Sequence, residues 1–217
     1  MGGVDSGRLS VPRPCVGAIL AGGASTRMAG APKGLEPVGG SRIIDRVSRS
    51  LRASADSVVL IANDVAAAEW IPGMTVIRDR RPGLGAMSGL HAGLAATGAD
   101  LLAVAWDMPF VPVAILRALR EAGETTDAEI AVPRSNSPWG FEPLVAWFRD
   151  RALAPVDLMI DAGDGRVGAL AGHAKLLTVD VSSWGDPDEI FFSVNTPDDL
   201  VIANRIAARI SAPPAAQ

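Results

Sequence analysis

The stretch Val16-Gly17-Ala18-Ile19-Leu20-Ala21-Gly22-Gly23-Ala24-Ser25-Thr26-Arg27-Met28 runs from an apolar segment into small residues and then places an arginine. Val16 to Leu20 is too continuously apolar for a strand with one wet face, so it is expected to be buried on both sides. Similar runs recur at Val58 to Ile61, Thr75 to Ile77, Leu101 to Trp106 and Ile130 to Val132. Helical patterns alternate with them. Ile43, Ile44, Val47 and Leu51 share a face behind a candidate Ser41 cap, and Val113, Leu116 and Leu119 follow Pro112. The alternation predicts an α/β fold, a mostly parallel sheet with helices on both faces. Further strands are expected at Leu144 to Phe148, Lys175 to Val181 and Phe191 to Val194, some of them antiparallel at the sheet edge. An amphipathic helix from Pro197 through Ile210 completes the pattern.

With 217 residues, 48% of them hydrophobic and 20% charged, the chain suits one domain with a substantial core. That domain is expected over 15–211, between a disordered N-terminal extension, 1–14, and a disordered tail, 212–217. The 20 basic and 24 acidic residues give a net charge of -4, which provides no basic field for a nucleic-acid polymer. No run approaches the roughly 18 apolar residues of a membrane span. A single cysteine, Cys15, cannot form an internal disulfide or a thiol metal site. A cytoplasmic protein is expected.

Ligands of open parallel sheets bind beyond the carboxyl ends of the strands. The glycine loop after Leu20, Asn63 after Ile61, Asp79 after Ile77 and Asp107 after Trp106 all fall there. In the loop, small side chains would let backbone N–H groups lie against phosphate oxygens, with Arg27 and Lys33 adding positive charge. It is neither a Walker A loop nor a dinucleotide fingerprint, and a tight turn with surface cations remains an alternative. In Ala103-Val104-Ala105-Trp106-Asp107-Met108-Pro109-Phe110 a carboxylate ends a very apolar strand. Mg²⁺ needs only one or two protein carboxylates when substrate phosphates complete its shell, so Asp107 is a candidate ligand, with a turn or cap role as the alternative. Asp79 lies among Arg78, Arg80 and Arg81, which could simply pair with it. Gly83 to Leu90 opens a small-residue helix whose close packing on the loop would account for its few side chains. His91 and His173 are isolated and read as packing or surface residues.

Leu20-Ala21-Gly22-Gly23, Arg27-Met28 and Lys33-Gly34-Leu35 resemble the signature of nucleotidyltransferases that activate small phosphorylated acceptors. With Asp107-Met108-Pro109-Phe110, Gly163-Asp164-Gly165-Arg166-Val167 and Val194-Asn195-Thr196-Pro197-Asp198-Asp199-Leu200, the chain is similar to molybdenum cofactor guanylyltransferases from about Val16 to about Ile206. The resemblance implies a single-domain Rossmann-like nucleotidyltransferase fold and transfer of GMP from GTP to the terminal phosphate of molybdopterin or the molybdenum cofactor, with release of pyrophosphate. It implies nucleotide binding by Leu20, Ala21, Gly22, Gly23, Lys33, Asn63, Asp79 and Asp107. Arg27, Lys33 and Asp107 would be catalytic, Mg²⁺ would sit on Asp107, and Arg166 and Asn195 would face the acceptor. Molybdoenzyme maturation proteins would be downstream partners. Nothing points to a membrane or a nucleic-acid polymer as partner.

The chain departs from the family pattern at Ala29-Gly30 and Pro32, where Gly-Gly and an Asp are usual. It departs again at Glu142-Pro143, where His-Pro is common, and at Ser193, where asparagine is frequent. The alternatives are a cytidylyltransferase for the same cofactor, whose first motif usually reads Leu-Ala-Ala-Gly, another small-acceptor nucleotidyltransferase such as one acting on sugar 1-phosphates, and a non-enzymatic nucleotide-binding regulatory protein. Gly22 leaves room for a purine and favours guanine.

Overall fold

The computed structural model describes residues 13–22, 27–28 and 31–211. Gly23, the side chain of Arg27 and residues 1–12 and 212–217 lie outside that description, so the expected extension and tail are described only at Arg13 and Pro14. Among the described residues, seven strands form one sheet. They are β1 (Cys15–Leu20), β2 (Ser57–Ile61), β3 (Thr75–Ile77), β4 (Asp100–Ala105), β5 (Ile130–Pro133), β6 (Val145–Phe148) and β7 (Leu176–Val179), in the order β7-β5-β6-β4-β1-β2-β3. β1 is parallel to β2 and β4, β2 to β3, and β5 to β7. β6 alone among them is reversed, antiparallel to both β4 and β5.

The central strands β1 and β4 are buried at every position, as their unbroken apolar runs require. β3, at the edge, is half-buried with Thr75 exposed, which departs from the two-sided burial expected of it. Two apolar layers cover the sheet. α1 (Ile43–Arg52) and α3 (Val113–Thr125) bury Ile44, Leu51, Ile115 and Leu119 on one face. α2 (Ala86–Thr97) and α4 (Leu153–Asp161) bury Met87, Leu90, Val156 and Met159 on the other. A third, smaller cluster seats α5 (Pro197–Ser211) through Ala203 and Ala207 on Val38, Ile43 and Val194. Among the described residues no helix is long and apolar enough to cross a membrane. Cys15 is buried, and that burial pushes its thiol up to about 12, so it is chemically inert.

Three local expectations are corrected. Ser41 does not cap α1; it pairs with Val38 in a two-strand turn, Arg42 takes the N-cap position, and the Arg42 guanidinium bonds Asp45 in the first helical turn. Phe191 to Val194 is not a strand: Phe191 packs into the α1/α3 layer, and the Val194 N–H donates to the Asp107 carbonyl at 2.9 Å. The antiparallel strand is not at the edge. After β5 the chain makes a tight excursion closed by the Arg134–Phe141 bridge and Gly140 at φ 75°, and returns between β4 and β5. The edge strand β7 is parallel to its neighbour.

Candidate active site

The carboxyl ends of β1, β2, β3 and β4 meet at one rim, with backbone bonds linking them just past the ladder. Ala21 N–H donates to the Ile61 carbonyl at 2.8 Å, Ala62 N–H to Ile77 at 3.0 Å, and Trp106 N–H to Leu20 at 3.1 Å. Leu20 and Ala21 are thereby fixed and buried, whereas Gly22 is exposed and a Cβ built there meets nothing within 4 Å among the described residues. Because β6 is reversed, its leading residues Glu142 to Leu144 also reach this rim, and the Ala105 N–H donates to the Leu144 carbonyl at 2.9 Å.

Over β2 and β3, Asn63 and Asp79 pair with each other. Asn63 Nδ2 donates to Asp79 Oδ2 at 2.9 Å, and the Asp79 N–H donates back to Asn63 Oδ1 at 2.9 Å. Asp79 is therefore oriented by Asn63, and the arginines beside it in sequence are not needed to place it. Gly89 of α2 lies beneath: a Cβ there would stand 3.8 Å from Leu20 Cδ2 and 4.0 Å from Asp79 Oδ1, so the small-residue helix packs directly on this rim.

Past β4, Lys33 and Asp107 are 7% and 8% exposed. Lys33 Nζ donates to Asp107 Oδ2 at 2.5 Å and to Asn195 Oδ1 at 2.6 Å. Glycine governs how Lys33 gets there. A Cβ on Gly34 would stand 2.3 Å from Trp106 Cε3, so only glycine lets this turn lie flat on the indole. Trp106 is itself stacked on Trp70, with centroids 5.1 Å apart and ring planes at 21°. Asn195 arrives from the far end of the chain because α5 docks on the turn that follows Lys33, with Asn204 Oδ1 accepting from the Gly39 N–H at 3.0 Å. Asp199 then accepts the N–H groups of Asn195 and Thr196, while its own N–H donates to Thr196 Oγ1. This is a capping box that fixes the Asn195 backbone. Partial burial pushes the Asp199 carboxyl up, and the hydrogen bonds from Asn195 and Thr196, with the Lys33 charge, outweigh it and hold the group below the usual carboxylate range. Asp199 and Trp106 were missed as positioning residues; the Thr-x-x-Asp spacing was the available signal for the first.

The Gly163–Val167 loop spans two neighbours. Gly165 lies against the Leu84 carbonyl, which a Cβ would approach to 2.9 Å, and Gly168 lies under the Trp139 ring at 2.4 Å by the same measure. Within it Arg166 pairs with Asp164 and remains 71% exposed. The structure thus brings Asn195 to Lys33 and Arg166 to Asp164. His91 bonds Asp157 of α4 through Nε2 at 3.1 Å, in keeping with a packing role.

Asp107 can hold a divalent cation: Lys33 engages Oδ2, and a hard carboxylate oxygen suits Mg²⁺. Among the described residues no three His, Cys, Asp or Glu side chains converge, so any metal here would take the rest of its shell from phosphate and water. A rim with the backbone of Leu20 and Ala21 fixed by hydrogen bonds, a carboxylate–amide pair and a buried ammonium is suited to aligning a nucleoside triphosphate and neutralising charge during phosphoryl transfer.

Residues 17–176 match the family described as the MobA-like NTP transferase domain. A probable molybdenum cofactor guanylyltransferase of Pelotomaculum thermopropionicum is 34% identical over 88% of this chain and 92% of its own length. The molybdenum cofactor guanylyltransferase of Shewanella frigidimarina is 32% identical over 83% of this chain and 90% of its own. The crystal structure of molybdopterin-guanine dinucleotide biosynthesis protein A from Archaeoglobus fulgidus shares the fold with a TM-score of 0.74, at 24% identity, over 90% of this chain and 99% of that one. The rim described above is therefore that of a nucleotidyltransferase, and the chain belongs to the MobA-like family that contains the molybdenum cofactor guanylyltransferases.

Proposed function

We propose that this protein transfers GMP from GTP to the terminal phosphate of molybdopterin or the molybdenum cofactor. An acceptor phosphate oxygen forms a bond to the α-phosphorus, the bond from that phosphorus to the β-bridging oxygen breaks, and pyrophosphate leaves with the electron pair. The observation that carries this reading is the Lys33 ammonium, buried between the Asp107 carboxylate and the Asn195 amide. The acceptor phosphate is already ionised at neutral pH, so no protein base is required and alignment with charge neutralisation suffices.

In this reading Leu20, Ala21, Gly22 and Gly23 line the nucleotide, and Asn63 and Asp79 complete its recognition. Lys33 and Arg27 offset charge on the α-phosphate and the departing pyrophosphate, and Asn195 orients Lys33 toward the acceptor. Arg166, solvated and paired among the described residues with its loop neighbour Asp164, can exchange that partner for the acceptor phosphate. Asp107 would hold Mg²⁺, which when bound neutralises triphosphate charge. The buried, unreactive Cys15 suits the reducing cytoplasm, where maturation proteins of molybdoenzymes would receive the product.

The deciding experiment mixes the purified protein with Mg²⁺, molybdopterin or its molybdenum form, and GTP or CTP separately, and follows pyrophosphate and the dinucleotide by mass. Product from GTP is expected. Product from CTP alone would reverse the base assignment, and no product from either would remove the enzyme reading.

Gly22→Ala gives a sharper test of the base. Its methyl would enter open space on the protein side, so the thermal midpoint should be unchanged. One methyl group at the wall of a site is worth a factor of roughly 10–100 in kcat/KM, and that loss should fall on GTP and spare CTP. Equal losses on both nucleotides in a steady-state comparison would mean that Gly22 does not touch the base.

A further inference from the structure

We propose that Glu142 reads the hydrogen-bond donor edge of the acceptor's pterin ring, in the cleft between the turn at Ser135–Ser137 and the segment Phe191–Ser193. The proposal rests on the guanylyltransferase reading and names the residue that would select its acceptor.

The cleft has a volume of about 310 Å³, within the range of small-molecule sites. It is contiguous with the rim: Asn195, which accepts from Lys33 through Oδ1, donates through Nδ2 to Ser193 Oγ at 2.9 Å, and Ser193 lines the cleft. A ligand whose phosphate meets Lys33 can therefore extend its other end past Ser193 into this space. Phe191 and Phe192 supply apolar wall for a flat ring.

The charged part of the lining is acidic. Glu142 and Asp188 both face the cleft, and among the described residues lining it none is Lys or Arg. A phosphate would find no cation among these lining residues and two carboxylates to repel it, whereas a ring rich in N–H groups finds acceptors. Asp188 accepts from Asn136 Nδ2 at 3.0 Å and is exposed to solvent, whereas Glu142 is half-buried. Glu142 is held rigidly: its N–H donates to the Pro133 carbonyl at 3.0 Å, and its Oε1 accepts from the Leu144 N–H at 3.1 Å. That leaves lone pairs on both carboxylate oxygens for further donors. Burial pushes the Glu142 carboxyl up, the Leu144 N–H pulls it back, and the nearby Asp107 charge adds to the rise. Such an under-solvated carboxylate gains most from new N–H partners. The 2-amino and N3–H groups of a pterin present two parallel donors, the pattern that a carboxylate accepts bidentately.

The test uses Glu142→Gln, which keeps shape and removes the charge. Losing a charge-assisted pair should raise the KM for molybdopterin by roughly 10- to 100-fold, with the KM for GTP unchanged. Asn136→Trp, which fills the cleft from an exposed wall, should have the same selective effect and covers the case in which Glu142→Gln fails to fold. Separately, unsubstituted pterin, which has no phosphate, is titrated against each protein and its fluorescence followed. Quenching by the wild type that is lost in Glu142→Gln and Asn136→Trp supports the proposal. Quenching equal in all three, or absent in the wild type while the acceptor KM is unmoved by either variant, overturns it. If the wild type makes no pyrophosphate from GTP and molybdopterin, the guanylyltransferase reading falls, and the pterin titration still decides the role of Glu142.

Discussion

Lys33→Met is expected to lower kcat/KM for guanylyl transfer by a factor on the order of 10²–10³, the range for removing one fixed group that stabilises developing charge. The substitution also strands a carboxylate. Asp107 is nearly as buried as Lys33 and gives Oδ2 to it at 2.5 Å, so removing one member should cost about 3 kcal/mol of stability. A loss of turnover could then be mistaken for a loss of fold. The double variant Lys33→Met/Asp107→Asn separates the two, since it removes the stranded charge and should recover most of the thermal midpoint. Turnover should stay at the level of the single variant or below. Pyrophosphate release and thermal melting, read on the same samples, decide it. Turnover regained in the double variant, or retained within a few-fold in Lys33→Met, would sink the assignment of Lys33 to the chemistry.

Gly34→Ala should damage both fold and turnover through a group that never touches substrate. The added methyl would stand 2.3 Å from Trp106 Cε3, and the ring cannot yield because it is 1% exposed and stacked on Trp70. The turn must move instead, carrying Lys33 with it. Overpacking of this kind costs about 1–3 kcal/mol, which for a chain of this size lowers Tm by about 2–12 °C. Displacing Lys33 by a fraction of an ångström relative to Asp107 and Asn195 should lower kcat by about 10-fold or more, since misplacement of about 1 Å can cost 10². The control is Trp106→Leu in the Gly34→Ala background, where the smaller side chain makes room. A midpoint and kcat that fall no further than in Trp106→Leu by itself would show that the clash is the cause. An unaltered Tm in Gly34→Ala would show that the contact is not tight in solution.

Much of the rim over β1 to β4 was legible in the sequence, because polar residues follow the strand ends there. Leu20, Asn63, Asp79 and Asp107 each follow an apolar run, and the rule for open parallel sheets brings such positions together whatever their spacing. The acceptor half was harder to read. Lys33 and Asn195 are 162 positions apart, and nothing periodic connects them; their meeting depends on α5 seating Ala203 and Ala207 against Val38 and Ile43. The direction of β6 was hidden too, since Val145 to Phe148 is buried on both faces whichever way it runs. Phe191 to Val194 has a strand's composition, yet Phe191 fills a layer beneath the sheet, Phe192 and Val194 pack in the cluster under α5, and the Val194 N–H serves the Asp107 carbonyl. Family resemblance supplied Asn195, but the Lys33 bond that defines its setting came only with the fold.

The reversal of β6 also bears on how the chain is made. β4 and β5 are synthesised one after the other but never touch as neighbours, because each pairs with β6. Until Val145–Phe148 has left the ribosome, the growing protein carries β4 as an open edge at the centre of what will become its sheet. Before Leu176 emerges, β5 has no other strand to join. An exposed, untwisted apolar edge invites pairing with another chain. Four residues, Val-Ala-Trp-Phe, thus close the seam between the half proposed to hold the nucleotide and the half proposed to choose the acceptor. The interval between the synthesis of Ala105 and that of Phe148 is when the nascent chain most needs a chaperone's cover.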